Sequence, residues 1–134
     1  MALGKIKADT LEHSTAGSVD TQYVVDGTAK SYHNFVGTGT AVTNDSLNIS
    51  TLTDNGTGDY TSTFVNSFDN AFYVFGGGTM ETGSTGTNDS GLGAHRNVSY
   101  STSITTSAFI MQVSTASGSV ADRTVFISYT GELT

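Results

Sequence analysis

An all-β fold is predicted, a compact β-sandwich or jelly-roll-like domain of 7–8 antiparallel strands carrying an extended N-terminal arm, and three observations predict it. Composition is the first: 23 Thr and 17 Ser among 134 residues, joined by Val, Tyr and Phe, suit pleated, half-buried surfaces, while Leu and Ala are sparse. The second is that apolar residues recur in short runs of period two, the spacing of a strand with one buried face. The third is punctuation. Clusters of Gly, Asn and Asp bound those runs and there is no proline, so the turns rest on residues that tolerate left-handed backbone or bond their own main chain. Disorder would also explain much Ser, Thr and Gly, but 36% apolar and 10% aromatic residues, arranged in alternating runs, can build a core. That core is modest, and association with other chains is expected to supply part of the stability.

Residues 1–29 form the predicted arm, with spaced Leu3, Ile6 and Leu11, a turn over 12–17 and a short strand over 19–25. The sandwich domain is residues 30–134. Its first strand runs from Lys30 to Val36 and ends at Gly37-Thr38-Gly39-Thr40. A hairpin follows over 45–64, in which Leu47 and Ile49 alternate with Asn48 and Ser50, Asp54-Asn55-Gly56-Thr57-Gly58-Asp59 turns the chain, and Tyr60, Ser62 and Phe64 alternate on the return. Residues 67–71 read as a turn with one buried ring and 72–75 as a strand apolar on both faces, broken by Gly76-Gly77-Gly78. A polar, glycine-rich loop of unusual length is expected over 79–96. Strands resume at 97–100, 108–113 and 123–130, the last with Val125, Ile127 and Tyr129 on one face.

A net charge of −7 with a pI near 4.5 argues against nucleic acid, whose affinity needs Lys and Arg to neutralise phosphates, and against anionic membrane surfaces. Without cysteine there is neither a disulfide framework nor a thiolate metal site. No apolar run approaches the roughly 20 residues of a spanning helix, and the first residues lack the apolar core of a secretory signal. No membrane insertion is expected.

AKSYHNFVGTGT and DSLNISTLTDNGTGDYTSTFVNSFDNAFYVFGG together resemble a module of structural proteins of marine and cyanobacterial tailed phages. The residues that fit are Lys30, Asn34, Phe35, Gly37 to Thr40, Asp45 to Asn48 and Ser50. Thr53, Asp54, Gly56 to Tyr60 and Phe64 fit as well. The match covers about a third of the chain well and the N-terminus loosely, where Lys5, Ile6, Lys7, Asp9, Thr10 and Leu11 look like the start of an arm joining such a module to the virion. The resemblance implies a virion protein of the tail-fibre type: a homotrimer, located in the virion, partnered by other tail or capsid proteins and involved in host-surface recognition. Many members are longer and carry stalks, and this chain has none. Within that reading the 79–96 loop is either the receptor-facing candidate, because Asn88, Asp89, His95 and Arg96 suit hydrogen bonding to carbohydrate, or a mobile connecting loop. Two alternatives accompany it, a capsid decoration or head-fibre protein with a purely structural role and a small polysaccharide-degrading tail protein.

No catalytic constellation is expected. His13, His33 and His95 lack a recognisable nucleophile and orienting acid, and Glu12, Glu81 and Glu132 are far apart for the paired carboxylates of glycoside hydrolysis. The 54–59 loop lacks the terminal bidentate Glu of a calcium loop, so it reads as a hairpin held by Asx turns and not as a metal site. No cofactor is expected.

Overall fold

Residues 31–36 show how the molecule is built: Ser31, His33 and Phe35 are buried while Tyr32, Asn34 and Val36 between them are partly exposed. The structure, a computed structural model, describes residues 8–80, 90–94, 104–115 and 119–134, with backbone alone for His13 and 90–94. The strand expected at 97–100 lies outside the described residues.

Strands β1 (Thr10–His13) and β2 (Gly17–Asp20) form a hairpin, and helix α1 (Thr21–Gly27) follows it. The sandwich comprises β3 (Ala29–Val36), β4 (Val42–Leu47), β5 (Ile49–Gly56), β6 (Asp59–Phe64), β7 (Val74–Met80), β8 (Ser90–Ala94), β9 (Ala108–Thr115) and β10 (Thr124–Thr130). These eight make two four-stranded antiparallel sheets, ordered β4-β3-β10-β7 and β5-β6-β9-β8. The fold class read from the sequence is therefore the fold observed.

The core lies between the sheets. Phe35, Val125, Ile127 and Tyr129 project from the first sheet and Tyr60, Phe64, Phe109, Met111 and Val113 from the second. Toward the end where the arm joins, Phe64, Phe68, Tyr73 and Tyr129 form an aromatic cluster, with Phe64 edge-on to Tyr129 at 5.1 Å and Phe68 stacked on Tyr73 at 4.3 Å. Such pairs contribute about 0.5–1.5 kcal/mol each beyond burial. The abundance of threonine also finds a place here. Thr51 faces Thr63 and Thr53 faces Thr61 across β5 and β6, on the side of the second sheet opposite the buried Tyr60, Ser62 and Phe64. β-Branched hydroxyl side chains pair well across strands and keep that face wet.

Three sequence expectations are corrected. Leu47 and Ile49, read as one strand, belong to different sheets, because Asn48 has φ +58° and turns the chain from β4 into β5. Its side chain locks the corner: Oδ1 accepts from Asn66 N–H at 2.7 Å and Nδ2 donates to the Asn66 carbonyl at 3.0 Å. Asn is among the few residues that enter left-handed backbone cheaply, and period two cannot report such a corner. The hairpin is thus β5–β6 only. Second, Gly76-Gly77-Gly78 does not break a strand but lies within β7, paired to β10 along its whole length. A Cβ at Gly77 would come within 2.1 Å of the Phe126 carbonyl oxygen, so the close backbone of β10 requires glycine there. Third, residues 19–25 are divided between β2 and α1. The helix buries no residue, and Lys30 Nζ donates to the Val25 carbonyl and, at 3.2 Å, to that of Thr28, placing a cation at the helix C-terminus.

Candidate functional site

The outward positions of the first sheet fall into rows by strand register. Asp45, Asn34, Phe126 and Gly78 lie side by side across the four strands, and Leu47, Tyr32, Ser128 and Gly76 form the next row. Each outward residue alternates with an inward core residue of its own strand, so the core pattern fixes which side chains are presented. In these two rows β7 presents glycines, and a Cβ at Gly76 or Gly78 would meet nothing within 4 Å. The result is a groove of about 370 Å³ with Tyr32, Asn34 and Asp45 on one side, Phe126 and Ser128 beneath and Gly76 on the other.

Its polar groups hold one another in place. Asp45 Oδ1 accepts from Ser46 N–H at 2.9 Å and Oδ2 accepts from the Tyr32 hydroxyl at 3.3 Å. The Asp45 charge is the main reason that the Tyr32 phenol is pushed above its usual range. Asn44 Nδ2 donates to Asn34 Oδ1 at 3.0 Å, and Ser128 Oγ donates to the Gly76 carbonyl at 3.3 Å. Phe126 is 39% exposed, and among the described residues Asp45 is the one charged side chain lining the groove. Sequence reasoning missed this groove. The outward members of 31–36 and 124–130 carried the signal, since Tyr32 and Phe126 are aromatics on the face that the core pattern leaves to solvent.

A second surface lies at the end of the sandwich from which the arm leaves. Leu47, Val65, Phe72, Val74 and Leu133 are exposed there, and the arm adds exposed Leu11, Val19, Tyr23 and Val25. These are nine of the thirteen exposed large apolar side chains among the described residues. Phe72 and Val74, at 78% and 70%, are extreme. The strand expected at 72–75 with two apolar faces is thus present from Val74, buried by Tyr73 and Phe75 on one side and bare on the other.

His33 occupies the core. Its Nδ1 is 2.8 Å from Ser62 Oγ on the facing sheet, and its Nε2 is 2.9 Å from Thr43 Oγ1 on β4. A His–Ser contact suggests hydrolysis, but both side chains are enclosed, at 1% and 0% exposure, and the third partner is a hydroxyl where a triad needs a carboxylate. The arrangement is a hydrogen-bonded tie between sheets. Desolvation pulls the imidazole down to about 4 from its usual 6.5, so His33 is neutral near pH 7. Nearby, the Tyr129 hydroxyl finds no hydrogen-bond partner among the described residues; burial pushes its phenol up, with Ser62 opposing the shift.

The turn expected over 54–59 is reduced to residues 57–58, because 54–56 pair as the end of β5 and 59 as the start of β6; this hairpin end is held by its own side chains and by one distant residue. Asp54 Oδ1 accepts from Gly56 N–H at 2.9 Å, an Asx turn, and Asn55 Nδ2 donates to Thr61 Oγ1 at 2.9 Å. Asp122 Oδ1 accepts from both Gly58 N–H and the Tyr60 hydroxyl at 2.7 Å. Burial and then the Asp122 hydrogen bond push the Tyr60 phenol upward. Among the described residues no group of three or more His, Asp or Glu could hold a metal ion.

Of the arm residues singled out from the sequence, Asp9, Thr10 and Leu11 lie at the start of the β1–β2 hairpin, exposed, and Lys5, Ile6 and Lys7 fall outside the described residues. Asn88, Asp89, His95 and Arg96 also fall outside them. Between them, the backbone of 90–94 forms β8, paired to β9, so part of the expected long loop is a strand. Comparison with family models, with curated proteins and with solved structures gives no match.

Proposed function

We propose that this chain is a bacteriophage virion structural protein, a homotrimeric fibre- or tip-like appendage attached to the particle through its N-terminal arm and presenting a sheet face for host-surface recognition. One observation carries the reading. The uncovered apolar side chains gather on the arm and on the end of the sandwich beside it, while the second sheet faces outward with paired threonines. Contiguous apolar surface of this kind marks attachment to other chains. The module over residues 30–75 supports the virion setting, and the choice of three subunits rests on that resemblance.

Light scattering at micromolar concentration is expected to give a trimer, and a monomer would count decisively against the assembly. Replacing Phe72→Asp and Val74→Asp together places two carboxylates on the exposed apolar end without touching the core. The double variant is expected to dissociate while its circular dichroism stays that of the parent. A variant that remains trimeric puts the interface elsewhere.

Among the described residues, none of 8–25 contributes a side chain to the core. With residues 1–25 deleted, the protein is expected to remain folded and trimeric but to be lost from particles, and normal incorporation would refute the docking role. Cryo-electron microscopy of particles then places the chain on tail or shell.

A further inference from the structure

We infer that the groove on the outer face of the first sheet binds a neutral glycan, a run of uncharged hexose rings laid over Phe126. The inference deepens the recognition part of the proposed function and rests on it, but not on where the protein sits in a particle.

Shape comes first. Gly76 and Gly77 leave a trough along β7, the exposed aromatic side chain of Phe126 lines it, and Tyr32, Asn34 and Asp45 line its other side. A volume of about 370 Å³ lies within the range of small-ligand sites, roughly 300–1,000 Å³.

The distribution of polarity then chooses among occupants. A protein interface has an apolar centre and a polar rim. This face is the reverse: Val42, Leu47, Val74 and Met80 are exposed on the two edge strands, while Tyr32, Asn34, Phe126 and Ser128 lie on the two central strands and Asp45 stands on edge strand β4 between Val42 and Leu47. A second protein laid across it would strip water from the Asp45 carboxylate and the Asn34 amide and set them against apolar atoms, which disfavours the contact. A hexose ring fits the reverse pattern, with a C–H face to lie on the aromatic ring and a rim of hydroxyls that donate to Asp45 and Asn34.

Charge narrows the class. Among the described residues the one charged group lining the groove is an aspartate, and the chain carries −7, so phosphates, uronates and sialic acids meet repulsion. A single carboxylate is too few donors for a cation. What remains is a neutral polyhydroxyl ligand. Its recognition groups are already held: Asp45 by Ser46 N–H and Tyr32, Asn34 by Asn44, Ser128 by the Gly76 carbonyl. Binding therefore orders few side chains, which lowers its entropic cost.

The test uses the full chain and defined probes: maltohexaose, cellohexaose, laminarihexaose and mannohexaose as neutral sugars, and hexagalacturonate as the acidic comparison, each titrated by isothermal calorimetry and amide NMR. At least one neutral hexasaccharide is expected to bind and to shift amides of β3, β7 and β10. Phe126→Ala is expected to weaken it about tenfold or more. Gly76→Val fills the trough where a Cβ meets no atom, and is expected to abolish binding with the thermal midpoint and trimer unchanged. Failure of all four neutral probes, tighter binding of hexagalacturonate, or undiminished affinity in Gly76→Val would each overturn the inference. A protein that is trimeric and enters particles yet binds no neutral probe leaves the structural reading standing and removes only the glycan.

Discussion

Gly58→Ala is expected to lower the thermal midpoint by about 10–20 °C, from a destabilisation of about 3–5 kcal/mol at the few degrees per kcal/mol typical of this chain length. Two effects add. Gly58 has φ +66°, a conformation costing an L residue about 1–2 kcal/mol. A Cβ would also lie 2.6 Å from the Val113 carbonyl oxygen and 2.8 Å from the Ala121 nitrogen. Both neighbours are backbone fixed by other bonds, Val113 N–H to the Gly58 carbonyl at 2.7 Å and Ala121 N–H to the Val113 carbonyl at 3.1 Å, so neither can retreat without breaking a pair. Gly39→Ala separates the two contributions. Gly39 has φ +74° with nothing within 4 Å of the Cβ position, and only the backbone strain is expected there, about 1–2 kcal/mol. Equal losses in the two variants, measured by calorimetry at one protein concentration, would mean that the packing of the β5–β6 turn onto Val113 and Ala121 contributes nothing.

Acid should weaken this protein through His33. Its folded pKa near 4 lies below the usual 6.5, so between those values the unfolded chain holds a proton that the folded chain does not. Stability then rises with pH across that window: the contribution is full above about pH 6.5 and is lost as pH falls toward 4. The shift corresponds to at most about 3 kcal/mol. His33→Gln should be less stable at neutral pH, because a fitted hydrogen-bonded ring is replaced, yet its denaturation midpoint should fall less steeply between pH 6.5 and 4. Parallel pH profiles for parent and variant would show that protonation of His33 is not what acid acts upon.

The sandwich was legible because inward side chains are selected strongly. Phe109, Met111 and Val113, or Val125, Ile127 and Tyr129, must alternate if one face of a strand is dry, and that requirement is written at period two. Turn chemistry was legible for a similar reason. Every described residue with positive φ is Gly or Asn, as the absence of proline and the clusters of small polar residues predict. What failed to show was any feature decided by a distant partner. The triple glycine reads as a break until β10 is placed against it, and Asn48 reads as a strand residue until Asn66 is seen bonding its side chain. The groove was hidden in the same way. Tyr32, Asn34, Asp45, Gly76 and Phe126 come from four separate strands, and nothing in their spacing says that they share a face.

The sequence alone therefore determined the all-β class, most of the strands and part of the core, such as Tyr60, Phe64, Val125, Ile127 and Tyr129, because burial of alternate residues is a local constraint. Only the tertiary structure decided which strands are neighbours, where the chain changes sheet and what the outer faces present. Those depend on pairings over tens of residues, such as Tyr32 beside Ser128 and Gly58 beside Asp122, whose energies act in the folded molecule and leave no period in the chain.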